Sequence, residues 1–291
     1  LDTHLTEDDV VMVWHDDTIQ PEKCQDTGPV TPGDPDYPYV GDRFRELTYA
    51  QIQTLDCGYQ QLPGYPVQDN IEGNRIATLE EVFAVAVQHG AQDEIRWNIE
   101  TKVEDPANAP EREALVGGVM ATIQEHGWPE RTTLQSFDWA ALDQVREIDP
   151  DMTLVALAES ENPVGAGIDP QDAADRGYDV WSPAHALLTE ENIAEAHELG
   201  LVVTPWTVNN RADMERLIDW GVDGIITDYP STLRDVMADS GWALPKAYPL
   251  VEQPQFGRGA ETRAEREHTG AARSVEGVRE RSETARERYT R

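Results

Sequence analysis

A chain of 291 residues can form one barrel-sized domain of about 250 residues plus a tail, and no second domain is needed to account for it. Its 56 acidic residues against 23 basic ones leave a net charge of −33, which excludes bulk electrostatic attraction to nucleic acid or to an anionic membrane. No signal peptide, membrane-spanning run or initiating Met is visible, so no stable membrane insertion is expected, and a chain opening on Leu1-Asp2 is expected to have lost a leader and its first structural elements.

Taken in order, the five apolar residues Val10 to Trp14 read as a strand buried on both faces, with His15-Asp16 where it ends. Residues 17 to 46 are rich in Asp, Pro, Gly and Thr and predict an irregular loop with few helices or strands. Thr48 to Gln51 has capping-box spacing and opens a short helix carrying Ile52 and Leu55. After a second polar loop to Arg75, Thr78-Leu79-Glu80-Glu81 opens a helix with an apolar stripe of Leu79, Val82, Phe83 and Ala86, ending near His89-Gly90. Strands are predicted at Ile95 to Lys102, Thr132 to Phe137, Leu154 to Leu157, Leu201 to Asn209 and Val222 to Asp228, with a shorter one at Asp179 to Pro183 whose place in a barrel is open. Helices over Leu115 to His126, after Asp138, over Glu191 to Leu199 and around Met214 to Ile218 separate them. Strands and helices alternating in this way imply parallel βα units, and their number favours a closed α/β barrel over an open sheet.

Residues 251–291 form a separate tail in this reading, and from residue 257 onward nine arginines and seven glutamates alternate with small polar residues. Almost nothing there can enter a core, so a disordered or weakly helical tail is expected. Cys24 and Cys57 lie in polar, loop-like sequence and not in apolar strands, which favours a disulfide formed in an oxidising compartment over two buried thiols.

Chemistry in an α/β barrel is assembled at the carboxyl ends of its strands. Asp2, His15, Glu100 and Lys102 lie at or near such ends and supply two carboxylates, an imidazole and an ammonium. Two carboxylates suit a hard cation such as Mg2+ or Ca2+, whereas no His-x-His or Cys-rich spacing points to zinc. Each residue also has a plain structural reading. His15 beside Asp16 could be an exposed strand-end cap, Glu100 and Lys102 share one side of a strand and could be an ion pair, and Trp206 could be core packing. The remaining histidines, His4 among them, read as helix or surface residues.

Several ordered motifs go further: Asp2 to Asp16, Thr78 to Phe83, Asn98-Ile99-Glu100-Thr101-Lys102, Gln135-Ser136-Phe137-Asp138, Trp206-Thr207-Val208-Asn209 and Gly221 to Pro230. In these the sequence resembles the glycerophosphodiester phosphodiesterase family, and looks closest to its secreted actinobacterial branch. The resemblance implies a (β/α)8 TIM barrel over residues 1–250, lacking its first βα unit in this chain, and an extracellular location. It implies hydrolysis of a small-molecule glycerophosphodiester to glycerol 3-phosphate and an alcohol, dependent on Ca2+ or Mg2+. Asp2 and Glu100 would be metal ligands, His15 the general acid for the leaving alkoxide and Lys102 a phosphate contact. Trp206 and Gln135 would touch the substrate. The family's usual opening strand ending in His-Arg-Gly is missing from this sequence, as is the Glu of the following Glu-x-Asp. The resemblance therefore implies reduced activity for this chain, through loss of one catalytic His, an Arg and one carboxylate ligand. Two other readings stay open: a phospholipase D-like enzyme of the same superfamily, and an inactive barrel that serves as a binding module. The sequence leaves the oligomeric state open.

Overall fold

A computed structural model describes residues 1–160 and 169–248; the tail expected over 251–291 lies outside the described residues. β1 (Asp2–Leu5) and β2 (Val11–Val13) form an antiparallel hairpin, with Thr3 opposite Val13 and Leu5 opposite Val11. The turn between them needs a residue in the left-handed region. Asp9 takes that position at φ 60, with its carboxylate 2.7 Å from Arg45, in keeping with the tolerance of Asp for this conformation. The Val10 to Trp14 run is thus the return arm of a hairpin and not a parallel barrel strand, because so short a turn permits only antiparallel pairing. Its outer end is also less enclosed than expected, with Val13 and Trp14 only half-buried.

An insertion follows. β3 (Gln25–Asp26) pairs antiparallel with β4 (Leu55–Asp56), and between them lie a 3-10 turn at Phe44–Glu46 and the short helix α1 (Tyr49–Ile52), capped by Thr48. Leu55, expected on that helix, is in β4 instead. The segment is irregular, as predicted, yet it has its own core of Met12, Ile19, Tyr39, Phe44, Leu47, Ile52, Leu55 and Ile76 around Cys24. Cys24 is bonded to Cys57.

The rest of the chain alternates. α2 (Leu79–Gln88) starts at the Thr78 capping box and is followed by β5 (Trp97–Thr101). α3 (Ala109–Glu125) begins six residues before the expected Leu115, because Asn108 caps it and Pro110 sits in its first turn, where a missing N–H costs nothing. β6 (Thr132–Ser136), α4 (Trp139–Ile148), β7 (Thr153–Ala158), α5 (Pro170–Asp175), β8 (Val180–Pro183) and α6 (Glu190–Glu198) come next. β9 (Val202–Val203), α7 (Arg211–Asp219) and α8 (Pro230–Asp239) complete the set.

The sheet runs in the order β2-β1-β5-β6-β7-β8-β9, and every pairing after the hairpin is parallel. This is the arrangement of an α/β barrel, and it gives the Asp179 to Pro183 strand its place between β7 and β9. The predicted strand over Val222 to Asp228 is not regular. It is joined to the chain after β9 by Val208 N–H to Ile226 O and Ile226 N–H to Pro205 O, each 2.9 Å, and Pro205 interrupts the ladder because it has no N–H to donate. Among the described residues no backbone ladder joins this segment to the β2 side of the sheet. Helix α3 closes tightly over the hairpin at Gly118, where a Cβ would stand 3.1 Å from Val11 Cγ2.

The disulfide closes a loop over a sequence separation of 33 residues, worth roughly 3 to 4 kcal/mol in the chain-entropy picture. Protein denatured without reductant should show no reactive thiol in a titration. Reduction should lower the urea midpoint, first in the insertion; two free thiols in the untreated protein would contradict the bond.

Candidate active site

Asp2 opens β1 and so does not stand at a strand's carboxyl end as expected; the parallel register of β1 with β5 nevertheless sets it opposite Glu100, near the carboxyl end of β5, and that of β5 with β6 sets Glu100 opposite Gln135. The hairpin then returns Trp14 to the level of Asp2, with its N–H bonding Asp2 O at 3.0 Å, and sets His15 one residue beyond. His15 therefore reaches the site on an antiparallel arm and not from the end of a barrel strand. Its ring is 68 % exposed and lies 3.3 Å from Asp16, whose carboxylate also pairs with Lys23. Burial would raise the Asp16 carboxyl, but its bonds with Lys23 and His15 hold it below the usual range.

Asp2 and Glu100 are hydrogen-bonded to each other. Burial pushes the Glu100 carboxyl up to about 8, against the pull of Lys102, whose Nζ is 2.9 Å away, and with further upward push from Asp2. Asp2 moves the opposite way. Burial would raise it too, yet the bond from Glu100 and the positive charges around it, Lys102 and His15 included, keep it low. At neutral pH the pair thus shares one proton, held on Glu100, with the ammonium of Lys102 alongside. Two buried oxygen donors that must otherwise share a proton fit a hard divalent cation, and Mg2+ often uses only one or two carboxylates, with water and substrate oxygens completing its shell. Among the described residues no group of three or more His, Cys, Asp or Glu side chains gathers as a closed cage.

The other predicted residues surround this cluster. Gln135 is buried, and its Oε1 accepts from Asn98 Nδ2 at 2.7 Å, so its carbonyl is committed to steadying the β5–β6 face. Trp206 is half-buried, its indole N–H donating to Ser182 O at 2.9 Å. Its ring meets Phe137 edge-on at 5.4 Å, and Lys102 Nζ lies 6.0 Å from the Phe137 centroid. Phe137 therefore connects the cationic and aromatic parts of the site, a role that nothing in its strand-end position announced.

His4 departs most from expectation. It is buried in β1, stacked on Phe44 with centroids 5.0 Å apart, and its Nδ1 is 3.3 Å from Glu104, though out of line for a hydrogen bond. Glu104 in turn meets Arg43 at 3.4 Å. A polar tie thus joins the insertion to the two strands that carry Asp2 and Glu100. Period-two alternation from Asp2 to His4, and from Glu100 through Lys102 to Glu104, was the available signal.

The sequence pattern of the Glycerophosphoryl diester phosphodiesterase family matches residues 1–232. A glycerophosphodiester phosphodiesterase of Bacillus subtilis is 32% identical over 241 residues, covering 81% of this chain and 75% of its own. A crystal structure from Silicibacter pomeroyi, assigned to the glycerophosphoryl diester phosphodiesterases, matches with a TM-score of 0.71 and 30% identity over 84% of each chain. An Oleispira antarctica phosphodiesterase solved with the product sn-glycerol-3-phosphate shares the fold, with a TM-score of 0.62 at 18% identity over 81% of this chain and 83% of that one.

The carboxylate pair has a signature in stability. Unfolded, Glu100 ionises near its ordinary 4.5, whereas in the fold it keeps its proton to about 8. The native state then binds more protons through this window, so Glu100 makes the metal-free protein less stable as pH rises. Asp2, shifted down from 3.8, contributes stability that is lost only as pH falls below that value. Glu100→Gln should therefore gain stability relative to the parent between pH 5 and pH 8 in urea unfolding. Parallel pH profiles would contradict the shared proton.

Proposed function

The chain belongs to the glycerophosphoryl diester phosphodiesterase family, and we propose that its barrel mouth hydrolyses glycerophosphodiesters to glycerol 3-phosphate and an alcohol with a divalent cation, Mg2+ or Ca2+, on Asp2 and Glu100. The observation that carries this reading is the register of adjacent parallel strands that sets those two carboxylates opposite each other beside Lys102. The product bound by the Oleispira relative is of the same class. A cation on the carboxylates would polarise the phosphoryl group as a Lewis acid.

The side chains divide the remaining work. Lys102 faces the phosphoryl oxygens with its ammonium and offsets the charge that grows on them, usually the largest catalytic contribution. His15, exposed and beside Asp16, delivers a proton to the oxygen of the leaving alcohol. Trp206 and Phe137 form an apolar wall against the glycerol carbons. Gln135 and Asn98 act one step back, keeping the face that bears Glu100 rigid. We also place the protein outside the cytoplasm, a reading that the Cys24–Cys57 bond supports.

Enzymatic detection of glycerol 3-phosphate from glycerophosphocholine tests the reaction. Release should need added Mg2+ or Ca2+, stop with a chelator, and fall by about 10²- to 10⁴-fold in His15→Ala. Release that ignores both the chelator and the substitution would overturn the assignment. Metal binding gives a second prediction, independent of turnover. Because burial raises the Glu100 carboxyl and favours its protonated form, binding at pH 7 should release protons, and affinity should rise with pH. Calorimetry in buffers of differing ionisation enthalpy reads the proton directly, and Glu100→Gln should abolish it.

A further inference from the structure

The mouth has a second wall that the proposed chemistry leaves unused. Tyr65, on the loop after Cys57, stacks on Tyr229, which directly follows Asp228; the ring centroids are 6.5 Å apart and the planes 26° apart. Tyr65 is 39 % exposed, so it still presents ring surface to solvent. The Asp228 carboxylate holds its hydroxyl above the usual phenol range, with partial burial, Tyr229 and Asp16 adding to the effect. Tyr65 thus reaches from the loop after Cys57 to the end of the 222–228 segment, with the Asp16 charge close enough to act on its hydroxyl. Asp228 is oriented from behind, since Asn209 Nδ2 donates to its carboxylate at 2.7 Å and Asn209 Oδ1 accepts its backbone N–H at 3.0 Å.

These positions matter because of where the leaving group must be. If His15 protonates the leaving oxygen, the substituent on that oxygen lies on the His15 side of the mouth, next to Asp16. Tyr65, which feels the charges of both Asp16 and Asp228, stands towards that side with Tyr229 stacked on it. Ring faces attract cations, most of all quaternary ammonium groups. The same rim already holds one such contact: Lys23 Nζ is 5.5 Å from the Trp14 ring centroid while paired with Asp16. The net charge of −33 draws cations and repels anions over longer range.

We propose that Tyr65, Tyr229 and Asp228 form the subsite for the alcohol of the diester and select alcohols that carry an ammonium group over neutral polyols. The inference rests on the phosphodiesterase reading for which side of the mouth the alcohol occupies, and its binding half can be measured without turnover.

The test compares glycerophosphocholine with glycerophosphoglycerol, which have the same phosphodiester but a cationic and a neutral alcohol. The ratio of their kcat/KM values should favour the choline ester, and should drop by about 2- to 30-fold in Asp228→Asn and in Tyr65→Leu. Tyr65→Phe keeps the ring and should keep most of the ratio. The loss should appear mainly in KM for the choline ester. The melting temperature of each variant, measured alongside, separates loss of recognition from loss of fold. A ratio near one in the parent, or one that all three variants leave unchanged, would overturn the proposal. If neither diester is hydrolysed, the phosphodiesterase reading falls on its own account, and calorimetric binding of the same two esters decides the subsite. Tighter binding of the choline ester, weakened by Asp228→Asn, upholds it; equal binding overturns it.

Discussion

Two carboxylates facing each other across a ladder, both withdrawn from water, cannot both stay ionised without a cation between them. The β1–β5 register imposes this confrontation on Asp2 and Glu100, and much of the neighbourhood answers it. Lys102 supplies one positive charge at 2.9 Å, a proton on Glu100 supplies the other neutralisation, and Gln135 and Asn98 keep the backbone beneath from relaxing away. The arrangement is poor as a stability device, because an apolar pair would fill the same space without the desolvation cost. It is understandable as a seat for positive charge that arrives from solution.

The remaining parts of the site are brought to that seat by elements outside the parallel set. His15 comes back down an antiparallel arm, and the insertion reaches over the mouth with Phe44 against His4 and Tyr65 against Tyr229. In the proposed reaction the barrel strands carry the groups that meet phosphoryl charge, while the hairpin, the loop after Cys57 and the end of the 222–228 segment carry those placed at the alcohol. This division lets the rim vary without disturbing the charged centre, and loops on a rigid scaffold commonly serve that purpose.

Much of the frame was legible in the sequence because it rests on local chemistry. Thr48, Thr78 and Asp138 announce helix starts by capping spacing, and strand-length segments alternating with those helices, with the apolar run of β7 among them, announce parallel strands. Asp2, Glu100, Lys102 and His15 could be singled out by residue type and position at strand ends. What stayed hidden depends on long-range pairing. Nothing local shows that His4 is buried against Glu104 or that Tyr65 crosses to Tyr229. The core under the insertion was hidden for the same reason: apart from Met12, which β2 supplies, its buried residues are spread among polar ones, with no period to reveal a shared face. The Val222 to Asp228 run misled in the opposite sense, since its composition suits a strand while Pro205 beside it removes a donor from the ladder.

The distance along the chain between the two halves of the charged centre has a kinetic consequence. β1 precedes its parallel neighbour by almost a hundred residues, as the bond from Leu1 to Asn98, 97 positions on, makes plain. At a synthesis rate of about 5 to 20 residues per second, β1 waits roughly 5 to 20 s for β5 to exist. In that interval the hairpin with β2 satisfies one edge of β1 and leaves the other open, a template for pairing with a foreign strand. The acidic turn Glu7-Asp8-Asp9 beside it surrounds that edge with like charge that neighbouring nascent chains also bear. Repulsion between such turns works against that pairing until the second half of the site is translated.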